Sequence, residues 1–256
     1  MNIHLKHVPF SVPGLIICEG HDDVCFVKCL LEASGIQRFA VQSSGESRFE
    51  RGGYTKFSTK LESIKTNPTY DLIEHIILVA DSDSDASGRF AEVCKQIAAA
   101  GHSQPSQPLT VAVGIPKISV AMIPPNQPGG CLETFCLEAA ESTPFGRKAF
   151  PPIRKLQETL VPDPDQIRRG KLFLRTYLAF AALDPCISVG NVFAAPGCNS
   201  LIPPTHASFR PLVDFISNLV FSAPPPPKGA PTHAPSSKAR TQNKKPRAIR
   251  KRHKAP

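Results

Sequence analysis

The sequence predicts an α/β fold: a parallel sheet of about four strands flanked by helices, followed by a C-terminal helical extension and a disordered basic tail. Three observations carry this. The continuous apolar runs Leu15–Cys18 and His75–Ala80 have the length and character of strands buried on both faces, as strands of a parallel sheet are. Stretches with helical apolar spacing alternate with such runs through the first half of the chain. The composition, 41% apolar and 20% charged over 256 residues, is enough to bury one real α/β core and excludes a disulfide-stapled miniprotein.

In chain order, Leu15–Cys18 is a strand that stops at Glu19-Gly20. From Asp22 to Ala33 the apolar residues Val24, Phe26, Val27, Leu30 and Leu31 recur near a 3.6-residue period, and Gly35 supplies the stop, which predicts a helix. Phe39–Gln42 reads as a second strand ending in the polar turn that starts at Ser43. A helix over Lys56–Lys65 is closed by Asn67-Pro68. His75–Ala80 is the clearest strand and runs into Asp81-Ser82-Asp83-Ser84-Asp85. A helix over Gly88–Ala100 ends at Gly101. Residues 102–117 read as a loop with one strand at 109–113, Ser119–Ile123 as a further strand, and Leu132–Glu141 as a short helix after Gly129-Gly130. Beyond Pro144 the β signal fades. Helices are expected at Arg154–Leu160, Lys171–Leu183 and Phe209–Leu219. The boundaries that follow are an α/β domain over 1–145, a helical extension over 146–222 packing on it, and a tail over 223–256.

The net charge of +9 is uneven. Ten basic and no acidic residues lie beyond Ala223, which leaves 20 basic against 21 acidic side chains in residues 1–222. The tail holds eight prolines and too few apolar residues to offset its ordering entropy. Eight cysteines sit mostly inside apolar runs and show no CxxC spacing, which predicts buried thiols in a reducing compartment and no zinc site. No signal peptide and no uncharged apolar stretch of about 18 residues is found, so the expectation is a soluble cytoplasmic protein with no membrane partner.

In a parallel α/β sheet, functional groups gather outside the carboxyl ends of the strands. Two such ends here are acidic. Glu19 follows the first strand with Asp23 one turn on, and Asp81 and Asp83 follow the strongest strand, where alternation along an extended chain sends Ser82 the other way. Converging carboxylates without cationic partners repel, and a hard divalent ion such as Mg²⁺ or Mn²⁺ resolves the repulsion. The competing reading is helix capping, open to Asp22, Asp83 and Asp85 alike. Glu19, beside a glycine at the end of a buried strand, has no capping role to play.

LIICEGHDDVCF resembles the first motif of the Toprim (topoisomerase–primase) domain, and IILVADSDSDA resembles its second, with the intervening helix, strand and helix in the same order. Gly129-Gly130-Cys131-Leu132-Glu133 and Lys171 with Tyr177-Leu178-Ala179 resemble elements of small bacterial Toprim-like proteins related to the overcoming-lysogenization-defect nucleases. The similarity covers about residues 13–220, and the basic tail departs from it. The resemblance implies a Toprim/Rossmann-like fold and Mg²⁺- or Mn²⁺-dependent phosphodiester cleavage of DNA or RNA, with a bacterial defence effector as one setting. In that reading Glu19 is a metal ligand or general acid/base, Asp81, Asp83, Asp23 and Glu133 hold one or two ions, and Lys171 neutralises transition-state charge. A solvated helix residue is the competing reading for Lys171.

The turn carrying Arg48 offers a phosphate contact or is an ordinary polar loop. The tail cations Lys244, Lys245, Arg247, Arg250, Lys251 and Arg252 suit nucleic-acid phosphates, a solubilising role or an import signal, and no aromatic residue among them stacks on bases. No nucleotide-binding Gly-x-x-x-x-Gly-Lys-Ser/Thr loop is present, so any ATPase belongs to a separate partner protein. Two other functions compete: a non-catalytic Toprim-like module with a structural cation, and a phosphatase or nucleotidyl transferase on a related sheet. None of Tyr54, Tyr70 and Tyr177 sits in a context resembling a topoisomerase nucleophile.

Overall fold

A computed structural model describes residues 9–45, 53–160, 165–182, 184–194 and 200–222. Four strands form one parallel sheet: β1 (Gly14–Cys18), β2 (Phe39–Ser43), β3 (His75–Asp81) and β4 (Lys117–Ile123), in the order β2-β1-β3-β4. The α/β architecture with helices on both faces is the one the sequence predicts. The chain winds outward from β1 to β2 and then returns to add β3 on the other side. The order therefore reverses between β1 and β3, and the crevice of such a sheet opens at that point.

Alternation along the strands feeds two cores. Ile16, Cys18, Ile77, Val79, Ala121 and Ile123 face α1 (His21–Ala33) and α4 (Leu132–Ser142). Leu15, Ile17, Ile76, Leu78, Val120 and Met122 face α2 (Phe57–Lys65) and α3 (Ala86–Ala99). The first core also takes in α5 (Pro144–Leu160), α6 (Gln166–Ala181), α7 (Val189–Ala194) and α8 (Arg210–Ser217) through Phe150, Phe173, Phe193 and Leu212. Phe26 of α1 ties these layers together, with its ring centroid 5.8 Å from that of Phe135, 5.1 Å from Phe193 and 5.2 Å from Phe209, each pair edge-to-face. Residues up to Ser222 form one compact unit.

Two helices of the second half, α5 (Pro144–Leu160) and α6 (Gln166–Ala181), are longer than periodicity suggests, while α8 is shorter than the expected Phe209–Leu219. α5 begins at Pro144, ten residues before its expected start at Arg154, and runs through Pro151 and Pro152, which read as breakers. Both prolines lie on the exposed side while Phe150 and Ile153 anchor the helix in the core. α6 begins at Gln166, where the Asp165 carboxylate accepts the Arg168 N–H at 2.7 Å, and not at Lys171. α7 has no counterpart in the sequence reading. Residues 109–113 are not a strand. Leu109 and Ala112 donate to Val120 O and Ile118 O, each at 2.8 Å, but Leu109 takes a φ of +57° and interrupts the extended run. The segment covers the outer edge of β4. Among the described residues, Cys18, Cys25, Cys29, Cys94, Cys131, Cys136 and Cys186 are free thiols, and no helix is long and apolar enough to cross a membrane.

Candidate active site

The crevice between β1 and β3 is where the acidic residues meet. Glu19 leaves the end of β1 with its N–H on Val79 O at 2.9 Å, and its Oε2 accepts the N–H of Asp81, the last residue of β3, at 3.3 Å. The two strand ends are thus bridged by one carboxylate. Asp81 Oδ1 in turn accepts the N–H of Leu132, the first residue of α4, at 2.9 Å. Asp23, in the first turn of α1 and buried, reaches back so that its Oδ2 accepts the Gly20 N–H at 2.9 Å. Glu133 occupies the first turn of α4. The first turns of α1 and α4 thus bring Asp23 and Glu133 to the two strand ends, and the first amide of α4 is held by Asp81.

These carboxylates share one electrostatic field. Burial pushes the Asp81 carboxyl up to about 8, and the charges of Asp23, Glu19 and Glu133 add to the rise while Lys171 opposes it. Burial likewise pushes Asp23 up to about 7; the bond from Gly20 opposes this, and Glu19, Asp22 and Glu133 add to it. At neutral pH the cluster therefore holds protons that isolated carboxylates would not.

Lys171 is brought near by a close helix crossing. A Cβ on Gly170 would fall 2.2 Å from Thr134 Cγ2, so glycine is what lets α6 lie this tightly against α4. The half-buried Lys171 follows directly and is near enough to lower the Asp81 carboxyl.

Asp83 does not join the cluster. The extended chain ends at Asp81, so strand alternation no longer applies two residues later. Asp83 adopts φ +48°, its carbonyl accepts the Gly130 N–H at 2.6 Å, and its carboxylate is held by the Arg89 guanidinium. Arg89 in turn stacks on Tyr54, 3.4 Å from the ring centroid. Sequence reasoning missed Arg89, which a charged residue inside a helix does not advertise. Among the capping candidates, Asp85 caps α3 through the Gly88 N–H at 3.0 Å, whereas Asp22 accepts the Ser188 hydroxyl at 3.3 Å beside α7. Arg48 and the tail cations Lys244, Lys245, Arg247, Arg250, Lys251 and Arg252 lie outside the described residues.

The donor chemistry of Glu19, Asp23, Asp81 and Glu133 fits a hard cation: oxygen only, acidic, with Asp23 buried and the other three half-buried. Their spacing is looser than that of bound ligands. Among the described residues no group of three or more His, Cys, Asp or Glu side chains is gathered into a metal-holding arrangement.

No curated protein and no solved structure matches the chain. A family model matches residues 13–221, a span that contains, among the described residues, every strand and helix and the whole carboxylate cluster. The chain belongs to the family described as Protein of unknown function (DUF3226).

Proposed function

We propose that this protein is a Mg²⁺- or Mn²⁺-dependent nuclease of the Toprim type that hydrolyses phosphodiester bonds in DNA or RNA. One observation carries the reading: Glu19, Asp23, Asp81 and Glu133 converge at the reversal point of the sheet, where burial and mutual repulsion raise Asp81 and Asp23. Glu19, Asp23, Asp81 and Glu133 would hold a divalent cation there, and that ion would supply polarisation of the phosphoryl oxygen and a lowered pKa for water. Glu19 is the residue suited to moving the proton of the attacking water, because its Oε2 is oriented by the Asp81 N–H. Lys171 offsets the negative charge that builds on the phosphoryl oxygens. Asp83, neutralised by Arg89, is assigned no ligand role and instead pins the loop after β3.

The looser spacing of the cluster favours a second reading, a nucleic-acid- or partner-binding module in which a cation only stabilises the fold. The nuclease reading requires the longer arms of Glu19 and Glu133 to close on the ion. Incubation of the protein and its Glu19→Ala variant with supercoiled plasmid, single-stranded DNA and a tRNA pool, in Mg²⁺, Mn²⁺ or chelator, separates the two. Metal-dependent cutting that the variant loses is the expected result. No cutting under any condition, with melting temperature still raised by the cation, would overturn the nuclease in favour of the module.

A further inference from the structure

Beside the carboxylates lies an open groove of about 760 Å³ whose walls include Asp83, Arg89, Asp165, Arg168, Lys171 and Arg175. Its two acidic groups are already committed, Asp83 to Arg89 and Asp165 to the Arg168 backbone N–H at the start of α6. Among the described residues, Arg168, Lys171 and Arg175 enter no ion pair. They occur at intervals of three and four along α6 and so share one face, beside the stripe of buried Phe173, Leu174, Tyr177 and Leu178. With Asp83 balanced by Arg89, the three cations outweigh the charge of Asp165 by two and focus positive potential along the concave wall. At ~1.5 Å per residue they span ~10 Å, long enough to reach a few consecutive phosphates of one strand. The volume is that of a small-ligand pocket and takes a few nucleotides of one strand, not a duplex. Leu172, 40% exposed on the same wall, offers apolar contact to an unstacked base.

We infer that this groove carries the sugar–phosphate backbone of a single nucleic-acid strand to the carboxylates, with Arg168 and Arg175 holding the phosphates on either side of the one that reaches Lys171. The inference rests on the nuclease reading for the identity of the ligand, but its arginines take no part in the chemistry.

The test is binding of a fluorescein-labelled single-stranded DNA of about 15 nucleotides by the full-length protein in EDTA, so that cleavage plays no part. The variant is Arg168→Glu/Arg175→Glu. Glutamate suits position 168 in the first turn of α6 and position 175 is exposed, so circular dichroism should stay unchanged. The expected result is affinity at least about tenfold weaker, with the slope of log affinity against log salt shallower by about 1.4, about 0.7 for each arginine lost. The basic tail is common to both proteins. Phenylglyoxal labelling read by mass spectrometry reports on the groove separately, and the oligonucleotide should protect Arg168 and Arg175 in the wild type. Unchanged affinity with unprotected arginines overturns the groove even if the wild type cuts DNA in Mg²⁺. Loss of binding in the variant of a protein that never cuts supports the groove and overturns only the nuclease. A duplex bound as tightly, with the same loss on substitution, overturns the single-strand assignment.

Discussion

Replacing Asp81 by Asn should stabilise the protein in chelator, and by more as the pH rises. The folded state raises this carboxyl from 3.8 to about 8, so it binds the proton more tightly than the unfolded chain does. The associated stability is complete below about pH 4 and drains away as the pH climbs towards 8. At about 1.36 kcal/mol per pH unit, the ionised group costs at most about 2 kcal/mol at pH 5 and about 5 kcal/mol at pH 8. Asp23, pushed up to about 7 in the same field, shares that cost, so roughly half belongs to Asp81 alone. Asparagine removes the charge and keeps an oxygen to accept the Leu132 N–H. The expected gain is therefore about 2–3 kcal/mol at pH 8 and under about 1 kcal/mol at pH 5, or roughly 5–10 °C of melting temperature at the higher pH. Thermal unfolding of both proteins from pH 5 to pH 8 in EDTA measures it. A gain that does not change with pH, or a loss at pH 8, would refute the claim that uncompensated charge is stored at this crevice.

Two further substitutions test the scaffold. Phe26→Ala removes a fully buried ring that touches Phe135, Phe193 and Phe209, and should cost about 3–5 kcal/mol in denaturant unfolding while leaving a single transition; two transitions would make the helices beyond Pro144 an independent unit. Gly130→Ala forces a side chain onto a backbone at φ +138°, with its Cβ 2.6 Å from Pro124 Cδ and 2.7 Å from Thr134 Oγ1, and should cost at least about 2 kcal/mol; a melting temperature equal to wild type would refute the strain.

The sheet was legible because its signal is local. Strands buried on both faces show as unbroken apolar runs, and β1 and β3 stand out for that reason. Helices on exposed surfaces gave weaker signals, and proline misled where it sat on the solvent side. In α5 the pair Pro151-Pro152 reads as an end, yet the helix continues because Phe150 and Ile153 on its other side are packed into the core. Packing of that kind is set by chain far away in sequence.

The site divides along the same line. Glu19, Asp23 and Asp81 could be placed from the sequence because the end of a parallel strand fixes where its next residues go, and register between β1 and β3 does the rest. Asp83 could not, because its direction depends on Gly129 and Gly130, more than forty residues later. A Cβ on Gly129 would lie 2.5 Å from the Asp83 carbonyl oxygen, so the φ of +48° at Asp83 belongs to a contact between two loops. Arg168 was missed for another reason, the start of one helix. Pro162-Asp163-Pro164-Asp165 reads as loop, and beginning α6 at Lys171 leaves Arg168 outside it. Once Asp165 is seen to cap the helix, the buried positions Phe173, Leu174, Tyr177 and Leu178 fix its phase, and Arg168, Lys171 and Arg175 fall together on the face beside them. A single capping carboxylate thus decides whether this basic wall can be read from the sequence.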